Sequence, residues 1–281
     1  MWQDLPIVIR RRVHQQTGHR KQSVLASARG FHIHGVRELE AGDSPRSMSR
    51  KHLVRTGTEL VVEKHMERGA FVLVLLDVSA SGRIGAERIK HDASVELLDC
   101  FARACLWQGN ILQVIAFTAN VEFESPVLAS ANALDEILIA LSALRPVSQG
   151  TDHREVIAYA SSIAERHVQP ADLVCIISDL LFPEPRDSLI RDLEGLSETA
   201  DVVALVMRDS TEMAMPPLRG SLRARDIETG EVFLADAVSD RDPVRELEEH
   251  DIDSCVLMTS QSEAQWFDIL SDFFTRRIRR G

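Results

Sequence analysis

The stretch that decides the fold is Phe71-Val-Leu-Val-Leu-Leu-Asp77-Val-Ser79-Ala-Ser81, in which six apolar residues precede an Asp-x-Ser-x-Ser pattern. A continuous apolar run of this length predicts a parallel strand that is covered on both faces of its sheet. The polar loop that follows offers one carboxylate and two hydroxyls on alternate positions, and hard oxygen donors of this kind suit Mg²⁺. Because so few charges make an incomplete shell, the loop is typical of a half-site that a partner completes.

Apolar strands and amphipathic helices alternate after this first strand. Further strands are predicted at Ile111–Phe117, Asp172–Ser178, Val202–Met207 and Cys255–Met258, and helices at Glu87–Trp107, Ala131–Leu144, Asp152–His167, Asp187–Ser197 and Glu263–Arg280. This alternation predicts an α/β fold with a mostly parallel sheet flanked by helices. The segment near residues 218–236 interrupts the rhythm, and its Glu-Thr-Gly-Glu turn predicts an inserted hairpin.

Several side chains are expected in the core. The inward stripe of the first long helix is predicted from residues at four-residue steps, namely Ile89, Ala93, Leu97, Phe101 and Cys105. Trp107 and Trp266 are expected to pack inside as well. The four cysteines, Cys100, Cys105, Cys175 and Cys255, lie in apolar stretches without a Cys-x-x-Cys pair, which favours small buried side chains over zinc ligands or disulfides.

The balance of charge changes near residue 70. Residues 1–70 carry 13 Lys and Arg against 7 Asp and Glu, whereas residues 71–281 carry 19 against 36. We therefore predict a basic, β-rich N-terminal subdomain over residues 1–70, with strands near Phe31–Ile33 and Glu59–Glu63 and a loosely ordered start. The main α/β domain is predicted over residues 71–281. The basic region is suited to nucleic acid or an acidic protein surface, and docking on the acidic domain is an equal alternative.

Composition sets the broad class of protein. The 281 residues are 44% hydrophobic and 27% charged, which is ordinary for a globular chain with a full core. No apolar run in the sequence is long enough to cross a bilayer. The beginning, Met1-Trp-Gln-Asp, lacks the basic-then-apolar order of a signal peptide. We therefore expect a cytoplasmic location.

Three of the predicted loops carry oxygen ligands at one edge of the sheet. Ligands of open α/β sheets bind beyond the carboxyl ends of the strands, which is where these loops lie. The residues are Asp77, Ser79 and Ser81 in the first loop, Thr151 with Asp152 in the second, and Asp179 in the third. Each one alone has an ordinary role, such as capping a helix. Together they predict an octahedral Mg²⁺ shell with an exchangeable position.

This order of motifs resembles the von Willebrand factor A (vWA) fold with its metal-ion-dependent adhesion site. The pattern of that site, Asp-x-Ser-x-Ser, then Thr, then Asp, falls on Asp77, Ser79, Ser81, Thr151 and Asp179. Motifs within residues 42–68, Val206-Met-Arg-Asp209 and residues 227–230 are similar to a vWA subgroup catalogued as a domain of unknown function. Members of that subgroup are associated with MoxR-type AAA+ ATPases, and the resemblance covers about residues 30–275.

The resemblance implies a non-enzymatic, metal-dependent protein-interaction module. An Asp or Glu from a client protein would complete the shell of Mg²⁺, or of another divalent cation such as Mn²⁺ or Ca²⁺. The chain would then act as an adaptor or substrate-recruiting partner of a MoxR-type AAA+ ATPase, in a chaperone-like assembly or maturation of other proteins. The five metal ligands implied are those that match the adhesion-site pattern, and no catalytic residue is implied.

Two alternatives come from other classes of protein. Asp77 after an apolar strand is also similar to the nucleophile of haloacid-dehalogenase-type phosphatases, which would make the chain a Mg²⁺-dependent hydrolase. That chemistry wants a second acid where Ser79 stands, and no downstream lysine is expected near enough to balance phosphate charge. Nucleic acid is the other candidate ligand, through Arg10-Arg-Arg12 and Arg20-Lys21, but stacking aromatics are nearly absent there.

Overall fold

The computed structural model describes residues 1–10, 31–38, 60–66, 69–83, 85–145, 153–166, 171–180, 186–210, 222–225, 232–235 and 243–280. Contacts divide the chain into two units, one of Met1–Arg20 with Ala70–Gly281 and the other of Lys21–Gly69. This division lies beside the predicted boundary at residue 70, except that Met1–Arg20 group with the larger unit. Each unit has its own sheet structure.

The smaller unit contains one antiparallel pair of strands, β1 (Phe31–Glu38) and β2 (Leu60–Met66). The register shifts by a bulge between Ile33 and Gly35. Both predicted strands are therefore confirmed. Strand β1 continues beyond its predicted end at Ile33, and β2 continues beyond its predicted end at Glu63.

The larger unit alternates strands and helices as predicted. Its elements in chain order are β3 Phe71–Asp77, α1 Lys90–Trp107, β4 Ile111–Phe117, β5 Val121–Glu124, α2 Leu134–Ala143, α3 His153–Arg166, β6 Leu173–Ser178, α4 Arg186–Ser197, β7 Asp201–Arg208, β8 Leu222–Arg225, β9 Val232–Ala235, α5 Pro243–Glu249, β10 Asp253–Met258 and α6 Glu263–Arg280. Short 3₁₀ helices occupy Trp2–Asp4, Ala80–Arg83 and Ala131–Ala133. Strands β8 and β9 pair antiparallel, which is the hairpin predicted for their segment.

The main sheet has six strands in the order β10-β7-β6-β3-β4-β5. All neighbouring pairs are parallel except β4 with β5. The predicted α/β fold with a mostly parallel, helix-flanked sheet is therefore confirmed. Strands β3 and β6 are neighbours although β4 and β5 lie between them in sequence, so the chain leaves β3 in one direction and returns on its other side. Such a switch point opens a crevice at the carboxyl ends of the two strands.

Strand β3 is buried along its whole length, as its sequence predicts. Val72, Val74 and Leu76 face a core formed with α1, α2 and α6. Phe71, Leu73 and Leu75 face a second core formed with α3, α4 and α5. Period-two alternation explains the division, because successive side chains of a strand point to opposite faces. The sheet is thus the middle layer of three.

Helix α1 ends at Trp107 as predicted, but its start and the burial of two of its predicted core residues differ from the prediction. It begins at Lys90 rather than Glu87, so Ile89 precedes the helix and is 45% exposed instead of joining the inward stripe. Trp107 was expected in the core and is 72% exposed. The reason is helical geometry: Trp107 lies two residues beyond the buried Cys105, which is about 200° around the axis. Trp266, by contrast, is fully buried as predicted.

Two further expectations concern cysteines and membranes. All four cysteines are buried, as predicted. No helix in the described part of the chain combines the length and apolar character needed to cross a bilayer. The cytoplasmic location stays a prediction.

One arginine at the basic end of α6, Arg277, is buried in the protein. Arg277 is only 2% exposed and donates through Nη2 to both carboxylate oxygens of Asp201, at 2.6 and 2.8 Å. Its Nε donates to Asp253 Oδ2 at 2.8 Å. Because Asp201 and Asp253 begin β7 and β10, this one guanidinium joins α6 to two strands at the amino edge of the sheet.

The first residues of the chain are held at the same place. The Val8 carbonyl accepts a hydrogen bond from Arg277 Nη1 at 3.2 Å, and the Arg10 backbone N–H donates to Asp201 Oδ2 at 2.8 Å. Leu5 is fully buried in the core beside α1 and α6. Both polar and apolar contacts therefore hold residues 1–10. The loosely ordered start of the predicted N-terminal subdomain stays a prediction.

Replacing Arg277 tests this network. We expect Arg277→Met to lower the free energy of unfolding by about 3–5 kcal/mol, because it leaves the Asp201 carboxylate buried without its bidentate partner. Urea unfolding monitored by circular dichroism measures the loss. Arg276→Met is the matched control, since that side chain is exposed and its removal should change stability by less than about 0.5 kcal/mol. Equal effects of the two substitutions would contradict the role assigned to Arg277.

Candidate metal-binding site

Two of the three predicted ligand loops meet at the switch point of the sheet. Asp77 is the last residue of β3, and Asp179 directly follows β6, the neighbouring parallel strand. Both side chains are buried, and both line one small cavity together with Ser81. The structure thus brings these two carboxylates together, because neighbouring parallel strands end at the same edge of the sheet. Their role as metal ligands stays a prediction.

The Asp-x-Ser-x-Ser loop folds back on its own carboxylate. The Ser79 backbone N–H donates to Asp77 Oδ1 at 2.9 Å, and the hydroxyl oxygens of Ser79 and Ser81 lie 3.0 Å apart. The loop then enters the 3₁₀ helix at Ala80–Arg83, closed by a bond from the Gly82 N–H to the Ser79 carbonyl at 3.2 Å. The three predicted oxygen donors of this loop are thus adjacent to one another.

Ser178 is a member of the site that the sequence analysis missed. Its hydroxyl donates to Asp77 Oδ2 at 2.7 Å and accepts from the Leu180 N–H at 2.9 Å. Leu180 has φ of 53°, a left-handed conformation that is rare for a branched apolar residue. Such strain persists only where the surroundings impose it. Here it lies directly after Asp179, at the turn by which the chain leaves the cavity.

The two carboxylates affect each other. Burial, and after it the negative charge of Asp179, raise the pKa of Asp77 from 3.8 to about 6, against the opposing effect of hydrogen bonds from Ser79 and Ser178. A cation bound nearby would stabilise the ionised form of a carboxyl group whose pKa is raised in this way. The donor set consists of hard oxygens only, so its chemistry fits Mg²⁺, Mn²⁺ or Ca²⁺.

A lysine reaches into the same cavity, which the sequence analysis also missed. Lys90 Nζ donates to Asp179 Oδ2 at 2.6 Å, and the two side chains are 4% and 6% exposed. The expectation that no downstream lysine lies near Asp77 is therefore wrong. The signal was present in the sequence, because Lys90 precedes the buried Ala93 and Leu97 by three and seven residues, the spacing of one helix face.

Two constraints hold the connection between the Asp-x-Ser-x-Ser loop (residues 77–81, hereafter the serine loop) and α1. A Cβ atom at Gly85 would collide with the backbone carbonyl of Arg88, so only glycine fits there. Asp209, buried at the end of β7, accepts from the Ala86 N–H at 3.2 Å and from the Thr259 hydroxyl at 3.0 Å. These contacts fix the start of α1, and with it the position of Lys90.

The middle loop of the predicted site lies outside the described residues. Thr151 and Asp152 directly precede α3, which begins at His153. Their part in the site stays a prediction. Within the described ranges, no group of three or more His, Cys, Asp or Glu side chains is arranged to hold a metal ion. A site here depends on hydroxyl oxygens as well as carboxylates.

The fold is an α/β arrangement of the von Willebrand factor A type. A family model described as "Protein of unknown function DUF58" matches residues 35–250, and the chain belongs to this family. No protein with a curated description matches the chain.

Solved structures share the arrangement at low identity. Conserved hypothetical protein BatB from Bacteroides thetaiotaomicron is 15% identical, with a TM-score of 0.50, over 75% of this chain and 100% of that one. A von Willebrand factor type A protein from Catenulispora acidiphila is 13% identical, with a TM-score of 0.47, over 76% of this chain and 43% of that one. The VWA domain of SpRpn10 is 13% identical, with a TM-score of 0.43, over 74% and 94%. At this identity the likeness concerns the fold alone.

The raised pKa of Asp77 predicts how stability depends on pH without metal. A carboxyl pKa near 6 in the folded state against 3.8 in the unfolded state means that folding favours the protonated form. Stability is therefore lost as pH rises from about 4 to about 6. We expect Asp77→Asn, which removes this ionisation, to gain on the order of 3 kcal/mol relative to the unmodified chain across that range.

Urea unfolding in chelator at several pH values measures this difference. Asp268→Asn is the control, because it removes one carboxylate from the exposed face of α6. A constant stability difference between Asp77→Asn and the unmodified chain from pH 4 to 7 would mean that Asp77 ionises normally.

Proposed function

We propose that this chain is a non-enzymatic protein-interaction module whose contact with other proteins depends on a divalent cation. The observation that carries the proposal is the meeting of oxygen donors from β3 and β6 in one cavity at the switch point of the sheet. The residues that would hold Mg²⁺, or Mn²⁺ or Ca²⁺, are Asp77, Ser79, Ser81, Thr151 and Asp179. The bound cation would supply a positively charged position for an external carboxylate.

The composition of the donor set supports recognition rather than a closed structural site. Ser79 and Ser81 are neutral, so only the two aspartates bring negative charge to the cation. Cations of this class accept six or more oxygens, and a set this small leaves positions for a ligand from outside. A carboxylate of a client protein has the charge and the hardness that such a position prefers.

The proposed partners follow from the resemblance described above. Members of the similar vWA subgroup are associated with MoxR-type AAA+ ATPases, and membership of the DUF58 family supports the same grouping for this chain. We place the chain as an adaptor that presents a client protein to such an ATPase during assembly or maturation. The client would supply the Asp or Glu, and the ATPase would supply the work of remodelling.

Removing the first ligand tests the adaptor. We expect the unmodified chain to retain the MoxR-type ATPase of its own genome, with its client, in a pull-down containing Mg²⁺, and to lose the client in chelator. Asp77→Ala should lose at least tenfold in Mg²⁺-dependent capture, because the metal would lose its only carboxylate from the serine loop. Asp268→Ala, an exposed aspartate on α6, should behave like the unmodified chain. Equal capture by Asp77→Ala with and without chelator would refute the mechanism.

One observation favours a second candidate, a Mg²⁺-dependent phosphatase-like hydrolase. Lys90 lines the cavity that contains Asp77, where an ammonium group would balance phosphate charge. Ser79 still occupies the position where that chemistry wants a second acid, so a general acid–base is missing from the loop. The cation-dependent protein-interaction module therefore remains the better supported of the two candidate functions.

A generic phosphomonoester distinguishes these candidates. With p-nitrophenyl phosphate and Mg²⁺, we expect the unmodified chain and Asp77→Asn to release phosphate at the same background rate, because no activated nucleophile is proposed. A rate at least a hundredfold above that of Asp77→Asn, measured on matched preparations, would replace the adaptor by a hydrolase.

A further inference from the structure

Lys90 is placed where a lysine is least expected. Its side chain is 4% exposed. Lys90 is also the first residue of α1, at the end where the helix dipole is positive. Taking a charge out of water is costly unless it is paired, and a cation at a helix N-terminus adds a second cost. The partner that offsets these costs is the Asp179 carboxylate, 2.6 Å away and itself 6% exposed. Because burial and the helix dipole both oppose a positive charge at this position, its presence indicates that the charge of Lys90 is required there.

The charge is required because of the neighbouring carboxylates. Asp77 and Asp179 line one cavity, and each is buried. The backbone of Ser79 and the hydroxyl of Ser178 donate to Asp77, but neither brings a positive charge. Lys90 contacts the other carboxylate, so the pair of acids is balanced in part by an ammonium on α1 when no divalent ion is present.

The same ammonium opposes the binding of a divalent ion. Lys90 lines the cavity that also contains Asp77, Ser81 and Asp179, which are three of the proposed ligands. An ion held between these donors would meet a fixed positive charge a few ångströms away. Like charges at such distances repel strongly in a buried cavity, because little water screens them.

We propose that Lys90 is a built-in competitor of the divalent ion for Asp179. The inference rests on the proposed function and concerns the regulation of its site. In the metal-free protein the ammonium holds Asp179, and metal binding requires that this ion pair separate. The site is therefore weak by itself, and a client carboxylate that adds negative charge makes loading favourable. Metal binding and client binding are in this way positively coupled, and each strengthens the other by the same factor.

The start of α1 supports this role. Gly85 and Asp209 fix the chain just before Lys90, through close backbone packing and through the bond to the Ala86 N–H. A side chain held at its base, on a long flexible stem, can exchange one oxygen partner for another without movement of the helix. Competition by Lys90 therefore requires a movement of its side chain alone, and the conformation of the sheet can stay the same.

The test compares Mg²⁺ and Mn²⁺ affinity of the full chain with that of Lys90→Met, by isothermal titration calorimetry. Lys90→Met removes the charge and keeps most of the side-chain volume. We expect it to bind the metal at least tenfold more tightly, while its melting temperature in chelator falls because Asp179 loses its partner. Arg103→Met is the matched control, since it removes one positive charge from an exposed ion pair on the same helix. It should leave metal affinity unchanged.

The outcomes separate this inference from the proposed function. Metal binding by the unmodified chain that Lys90→Met leaves equal or weakens would overturn the competitor role while leaving the metal-dependent module intact. No binding by the unmodified chain but clear binding by Lys90→Met would support the competitor in its strongest form. No binding by either protein would overturn both proposals.

A second measurement does not depend on the folding of Lys90→Met. In ¹⁵N-lysine-labelled protein, the buried ammonium of Lys90 gives a slowly exchanging NMR signal, assigned by its absence from Lys90→Arg. We expect Mg²⁺ to shift or broaden this signal as the ion pair with Asp179 separates. A signal that stays unchanged while calorimetry shows metal binding would overturn the inference.

Discussion

Two carboxylates that end neighbouring parallel strands must share one buried crevice. Asp77 closes β3 and Asp179 follows β6, and the topology leaves neither free to move away from the other. Both acids are removed from water, which raises the free energy of their charged forms. Much of the surrounding structure is arranged around this constraint. Donors from Ser79 and Ser178 stabilise Asp77, and the Lys90 ammonium stabilises Asp179.

This arrangement reaches beyond the site into the packing of α1. The helix must begin where Lys90 can enter the cavity, so the residues before it are held by a glycine-only contact at Gly85 and by Asp209. From that fixed start, Ala93, Leu97 and Phe101 fall on the face that packs against the sheet. At the opposite edge, Arg277 joins α6 to the amino ends of β7 and β10. A buried ion pair thus lies at the carboxyl ends of the strands, between Lys90 and Asp179, and another group of ion pairs lies at the amino ends, around Arg277.

Much of the fold could be read from the sequence because its strands are buried on both faces. Continuous apolar runs such as 71–76 and 173–177 have few alternatives in a globular protein, and their order along the chain predicts a parallel sheet. The rule that ligands lie beyond the carboxyl ends of strands then placed Asp77 and Asp179 together. Both inferences depend on periodicity and strand direction, which a single sequence contains.

The features that were missed depend on tertiary contacts. Lys90 turns inward, where it forms an ion pair with Asp179, whereas Ile89 is exposed, so hydrophobicity alone selects the wrong residue. Strand β5 has only four residues, all of them partly or fully exposed, so its pairing with β4 leaves little pattern in the sequence. Trp107 is exposed because its position around the helix axis, and not its hydrophobicity, determines its burial.

The central claim is that the oxygens at this edge share one divalent ion. Crystals of the full chain grown with Mn²⁺ and measured near the manganese absorption edge test it most directly. The account predicts an anomalous peak within coordination distance of the Ser79 and Ser81 hydroxyls, with Lys90 Nζ withdrawn from Asp179. An ordered cavity without a peak at a saturating Mn²⁺ concentration, both in the unmodified chain and in Lys90→Met, would contradict it.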